Sequence, residues 1–190
     1  MTHAGAGSHR AATGAELVRE LLATFADPDA FRVWYEDAVV RVYRYLFPRC
    51  GGDAGLTEEI TQQTFISAIE NRSSFAGRSD SVTWLCAIAR NKLADHYRRM
   101  DRIDRRHLRL VVREIDVESD RTSVIEDRDM LMSALRKMPA MQRAVLVLCY
   151  LDDLSVAEAA GILERSESAT ESLLTRARAR LREILSGEMQ

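Results

Sequence analysis

From Phe31 onward, apolar side chains recur at 31, 34/35, 38/39, 42 and 45/46, the spacing of one buried helical face. The run stops at Cys50-Gly51-Gly52, where adjacent glycines favour a non-helical backbone. A second helix is predicted from Thr57, with Glu58 and Glu59 in the first turn, where the helix dipole favours acid. Its buried face is Ile60, Thr64/Phe65 and Ala68/Ile69. Residues 73–81 are rich in Ser and Gly and read as a loop. A third helix carries Val82, Leu85, Ile88/Ala89, Leu93 and Tyr97 on one face and ends near Arg99. Upstream, Leu17, Val18, Leu21, Leu22 and Phe25 predict a short amphipathic helix before Asp27-Pro28-Asp29, with Asp29 as the next N-cap.

The pattern changes after residue 100. Residues 101–128 alternate in charge around a brief apolar island at 108–112, a composition that predicts a linker, extended or partly helical. Helical spacing resumes with Met130/Leu131, Ala134/Leu135 and Met138, breaks at Pro139, and continues with Val145, Leu146 and Leu148 to Asp152-Asp153. Ser155-Val156-Ala157-Glu158 is a capping box, in which the serine caps an amide three residues on and the glutamate reaches back. It opens a short helix to Leu163, with Ala159, Ala160 and Leu163 facing inward. After a turn at 164–166, a longer helix from Glu167 to Leu185 buries Thr170, Leu174, Ala177, Leu181 and Ile184/Leu185. Short helix, tight turn and longer helix make a helix-turn-helix, whose second helix can enter the DNA major groove.

No strand-period segment interrupts this, so the fold class is all-α: two small helical domains on a flexible linker. The expected organisation is an N-terminal extension at 1–28, partly disordered; a first domain at 29–100; the linker at 101–128; a helix-turn-helix domain at 129–187; and a tail at 188–190.

Composition narrows the function classes. With 46% hydrophobic and 29% charged residues and three prolines, the 190 residues describe a foldable chain suited to helices. No apolar run approaches the roughly 20 residues that span a bilayer, and the N-terminus lacks a signal-peptide core, so no membrane insertion and a cytoplasmic location are expected. Cys50, Cys86 and Cys149 are far apart and no histidine stands near them at ligand spacing. Buried free thiols are expected, with no metal and no cofactor. No Gly-rich phosphate loop or nucleophile–base set is present, so the expectation is that the chain is not an enzyme.

Net charge is −2 and gives no global sign of a nucleic-acid binder, so local clusters decide. Arg90, Lys92, His96, Arg98 and Arg99 share the third helix with Trp84 and Tyr97, and cations track phosphates while aromatic faces stack on unpaired bases. The loop before it, with Phe75 and Arg78, offers a seat for an extruded base. Core roles explain Trp84 and Tyr97 as well, and a helix C-terminus attracts Arg98 and Arg99 without any DNA. On the last helix, Arg176, Arg178, Arg180 and Arg182 are placed to reach phosphates, although a solvated bundle face reads the same way.

Two longer stretches carry a family resemblance. Glu58-Glu59-Ile60-Thr61-Gln62-Gln63-Thr64-Phe65 resembles the acidic, glutamine-containing segment of sigma factor region 2 that binds the clamp of RNA polymerase. Thr83-Trp84-Leu85, Ile88-Ala89-Arg90-Asn91, Asp95 and Arg98-Arg99 are similar to the pattern of that region lying against the −10 element. Met138-Pro139, Gln142-Arg143, Leu154-Ser155, Glu158-Ala159-Ala160 and Arg176-Ala177-Arg178 resemble region 4. Together they resemble the extracytoplasmic-function (ECF) group, covering about residues 31–100 and 129–186.

The resemblance implies a transcription initiation factor that binds core RNA polymerase at its clamp and flap regions, through Glu58, Glu59, Gln62, Gln63 and Phe65. It implies −10 contacts from Phe75, Arg78, Arg90, Asn91, Lys92, Asp95, Arg98 and Arg99. It implies −35 contacts from Arg165, Ser166, Glu167, Ser168, Ala169, Ser172 and Arg176. Promoter DNA and a cognate anti-sigma factor are the further partners implied. Glu171 stands where the family often has a basic residue, Leu173 where it often has Arg, and Glu164 where it often has Gly. Negative charge from Glu167 and Glu171 predicts weaker or altered −35 binding, unless Ser168 and Glu171 form a second capping box. Alternatives in other classes are a helix-turn-helix regulator with a sensor half, and a sigma-like adaptor that has lost −35 recognition.

Overall fold

A computed structural model describes residues 13–107 and 123–187. Within them the elements are α1 (Gly14–Ala26), α2 (Pro28–Arg49), α3 (Ala54–Glu70), a 3₁₀ turn (Arg72–Ser74), α4 (Ser81–His107), α5 (Ser123–Arg136), α6 (Ala140–Leu146) running into a π turn (Val147–Leu151), α7 (Val156–Leu163) and α8 (Glu167–Ser186). The all-α expectation holds.

Boundaries follow from caps. Thr13 and Glu16 form a capping box that starts α1. Asp27, not Asp29, caps α2: its side chain accepts from the Asp29 and Ala30 amides, and Pro28 fills the first helical position, where its missing N–H costs nothing. Asp53 caps α3, which begins at Ala54, three residues before the expected start at Thr57. Asp80 accepts from the Val82 and Thr83 amides and the Thr83 hydroxyl at the start of α4, and these bonds hold its carboxyl below the usual range. Ser166, rather than Ser168, caps α8, so the second capping box with Glu171 does not form. Gly51 and Gly52 close α2 at φ 71° and 73°, a conformation glycine adopts freely.

α4 reaches His107, eight residues beyond the expected end, and α5 begins at Ser123, so both reach into the charged segment 101–128. The apolar island and most of that segment, residues 1–12 and the 188–190 tail lie outside the described residues.

α1–α4 and α5–α8 each form a helical half, and the halves share one core. Val42 and Leu46 of α2, Ile60 of α3 and Leu85 of α4 belong to the same buried cluster as Val145 of α6, Leu163 of α7 and Leu174 of α8. In α3, Thr57, Thr61 and Thr64 are buried and each hydroxyl donates to a carbonyl one turn back, so polar side chains enter the core without an unpaired donor. Ile69, expected on that buried face, is exposed, as is Ile66. Leu173 is buried beside Leu174.

Candidate nucleic-acid and polymerase interfaces

α3 presents its expected face unevenly. Glu58, Glu59 and Gln62 are exposed, and Gln63 donates to the Glu59 carboxylate at 2.8 Å. Phe65 is 4% exposed, edge-on to Trp34 and Tyr35 at ring distances of 5.9 and 4.8 Å. It is a core residue in this packing and presents no surface. Exposed Ile66 and Ile69 continue the Glu59–Gln62 stripe at helical spacing and supply the apolar part of that surface. Their i, i+3/i+4 register with Gln62 was the available sequence signal.

α4 spreads its polar residues over more than one face. Lys92, Asp95, Arg98, Arg99 and Arg102 line an open cleft of about 380 Å³ with Gln63 and Glu164. Arg102 was not singled out from sequence; continuing the 92, 95, 99 spacing one turn further finds it. Arg98 pairs with Asp95, one turn away on the same helix. Asn91 is exposed, while Arg90 lines a small pocket with Arg49, Tyr97 and Asp152. Tyr97 is 2% exposed and donates to the Arg49 carbonyl at 2.8 Å, which makes it a core residue. Half-buried Trp84 packs against the core too, its ring 5.2 Å from Phe75.

Phe75 is 4% exposed, so its ring is not presented to a base here; Arg78 in the same loop is exposed. The loop is held from outside by α1: a Cβ at Gly77 would stand 2.0 Å from the Gly14 carbonyl oxygen, and its φ is 65°. Only glycine fits that approach. Ser81 accepts a 3.0 Å hydrogen bond from the Trp34 indole, which ties α2 to the start of α4.

In the helix-turn-helix, Ser155 and Glu158 form the expected capping box. Ser166, Glu167, Ser168, Ser172 and Arg176 are exposed and Ala169 is half-buried. Arg165 is half-buried and pairs with Asp101 of α4 at 3.4 Å. Glu171 is exposed; Arg178 instead lies over Tyr150, 5.4 Å from its ring centre. Buried Leu173 cannot take part in base reading from this packing.

Of the cysteines, Cys50 is buried and its thiol is pushed up to about 11 by burial. Cys86 and Cys149 are half-buried rather than buried, and all three are free. Among the described residues no group of three or more His, Cys, Asp or Glu is arranged to hold a metal, and no helix is long and apolar enough to cross a membrane.

The geometry defines a helix-turn-helix protein whose other half offers a cation-lined helix beside an acidic, amide-bearing one. Family models agree with both halves: "Sigma-70 region 2" matches residues 34–103 and "Sigma-70, region 4" matches 128–181. The chain is 35% identical over 160 residues to the ECF RNA polymerase sigma factor BldN of Streptomyces coelicolor, covering 80% of this chain and 58% of that protein. It is 30% identical over 147 residues to the ECF sigma factor SigX of Bacillus subtilis, covering 74% of this chain and 75% of the relative. Among solved structures, the sigma factor RpoE in complex with the anti-sigma factor NepR from Bartonella quintana is similar in fold, with TM-score 0.50, 22% identity, and 82% and 96% of the two chains covered. The chain belongs to the sigma-70 family of RNA polymerase sigma factors, in the ECF group.

Proposed function

We propose that the chain binds core RNA polymerase, directs it to promoters and opens them, with the chemistry left to polymerase. The observation that carries this is the gathering of Lys92, Arg98, Arg99 and Arg102 along one cleft of α4, in a chain that also holds a complete helix-turn-helix. Cations on α4 would track the unpaired −10 strand, and Arg78 in the preceding loop and Asn91 on α4 are exposed as well. Ser166, Glu167, Ser168, Ser172 and Arg176 would face the −35 element from the N-terminal half of α8. Glu58, Glu59 and Gln62, extended by Ile66 and Ile69, would meet the polymerase clamp. Regions 29–100 and 129–187 act as separable units in this reading, in the cytoplasm, with an anti-sigma factor as the restraining partner.

Run-off transcription with purified core enzyme tests the proposal: added protein should give promoter-dependent transcripts. Arg98→Ala combined with Arg99→Ala should reduce permanganate reactivity of −10 thymines, and an unchanged footprint would remove the −10 assignment.

A further inference from the structure

We propose that α1 is a strut that positions the −10 loop, with Gly14 and Gly77 as its contact point and Arg78 as the side chain it sets against the displaced promoter strand. The proposal rests on the promoter-recognition reading above, because that reading gives Arg78 to the −10 element.

The loop between α3 and α4 is pinned at four places. Asn71 closes α3, and its carbonyl accepts from the Ser74 amide at 2.8 Å and the Ser74 hydroxyl at 2.7 Å. Phe75 is buried with its ring against Trp84. Gly77 is buried against the first residue of α1, and Asp80 caps α4. Of residues 75–78 only Ala76 and Arg78 are exposed, and they flank the glycine. Where Gly77 sits therefore decides where the Arg78 side chain starts.

The contact at Gly77 is backbone on backbone. A Cβ there would overlap the Gly14 carbonyl, and a Cβ at Gly14 would stand 2.9 Å from the Gly77 carbonyl oxygen. Neither position can take a side chain unless α1 or the loop shifts, since main chain cannot rotate aside. Gly14 opens α1, where alanine suits a helix at least as well. Helix formation does not call for glycine at that place; the approach of the loop does.

The far end of α1 is anchored independently. Phe25 lies 5.4 Å from Phe31 and 5.2 Å from Trp34, ring centre to ring centre, and Leu21 is buried. The Trp34 indole in turn donates to Ser81, just past the other end of the loop. The 13 residues of α1 span about 20 Å, so the helix carries a fixed distance from that ring cluster to Gly77. A helix this short is marginal by itself in water, so α1 is rigid only while both ends are docked. An arginine whose loop is already in place has less freedom to lose when it meets a phosphate or base.

The test uses the full chain assembled with core polymerase. The probe is a fluorescent single strand carrying the −10 non-template sequence of a promoter active in run-off transcription. Gly14→Ala should keep the wild-type Tm and −35 duplex affinity. Its affinity for the single strand should fall about 2- to 10-fold, the cost of ordering one long side chain. Arg78→Ala should lose as much, and adding Gly14→Ala to it should cost nothing more, because the strut acts through that side chain. An α1 that serves stability alone gives additive losses or none. Unchanged single-strand affinity in either single variant, or additive losses in the pair, overturns the proposal. Should Gly14→Ala lower Tm, Phe25→Ala at the far end of α1 decides by the same comparison with Arg78→Ala. Failure of the parent reading looks different. No transcript from the wild-type chain sinks promoter recognition and the strut with it, whereas wild-type transcripts with an unaltered Gly14→Ala sink the strut alone.

Discussion

Asp152, at the end of a π turn, points its carboxylate at Arg49, more than a hundred residues earlier, and the two meet at 2.8 Å with almost no solvent around either. The guanidinium also lies 3.7 Å from the centre of the Tyr45 ring, so one cation satisfies a carboxylate, two carbonyls and an aromatic face. Burial, the Asp152 charge and the hydrogen bond to it push the Tyr45 hydroxyl far above its ordinary value, so it stays a donor.

A double-mutant cycle of Arg49→Ala and Asp152→Ala should therefore give a coupling of about 1–3 kcal/mol in urea unfolding. The same cycle on Arg41 and Asp37, 3.5 Å apart but 56% and 71% exposed, should give under ~0.5 kcal/mol. Equal couplings would show that the buried pair is no more than a surface contact.

His96 makes stability pH-dependent. Burial lowers its pKa from 6.5, assisted by the Arg99 and Arg143 charges and opposed by Glu59 and Asp53, and its Nδ1 is buried without a partner. With the folded value below the unfolded one, the unfolded chain binds more protons between the two. Stability is complete above about pH 6.5 and falls as pH drops through the lower folded value. Chemical denaturation between pH 5 and 7.5 should show that decline, and His96→Gln should flatten it.

Leu173→Arg brings the helix-turn-helix nearer the family pattern, yet the side chain it replaces is 5% exposed. A charge there has no partner in the core, so the variant should lose several degrees of Tm and bind −35 duplex no better. Leu173→Ala should cost about 2–4 kcal/mol through the cavity alone. A stable, tighter-binding Leu173→Arg would show that this face of α8 is free.

Glu171 is exposed on α8, and Glu171→Lys should tighten non-specific duplex binding. A salt titration should steepen by about one unit of slope, since one added phosphate contact releases about one counterion. An unchanged slope would place that side chain away from DNA.

Cys50 is fully buried with its thiol pushed up to about 11. At pH 8 a maleimide should label Cys86 and Cys149 first and reach Cys50 only when denaturant opens the core. Early loss of Cys50 would mean that α2 and α3 separate readily.

Much of the helix-turn-helix was legible in the chain, because local rules set it. Ser155 and Glu158 complete their box within four residues, and the stripe from Thr170 to Ala177 needs only helical geometry. The start of α2 differs from the expected one because Asp29 is the N-cap that the sequence suggests, whereas Asp27 caps the helix and Pro28 takes its first position. The motif marks Phe65 and Phe75 as contact residues because it records residue type and spacing, whereas burial depends on what packs above. Trp34 and Tyr35 cover the first, and Trp84 lies against the second.

The sequence alone determined the helices, the helix-turn-helix and the family, since periodicity, capping and motif spacing act over a few residues. Only the tertiary structure decided that Arg49 meets Asp152, that Glu164 turns onto Arg98, and that Leu173 goes inside. Those outcomes depend on how two amphipathic halves bury their remaining apolar faces against each other. A buried charge chooses its partner from whatever that packing brings within about 4 Å, a distance the order of residues does not encode.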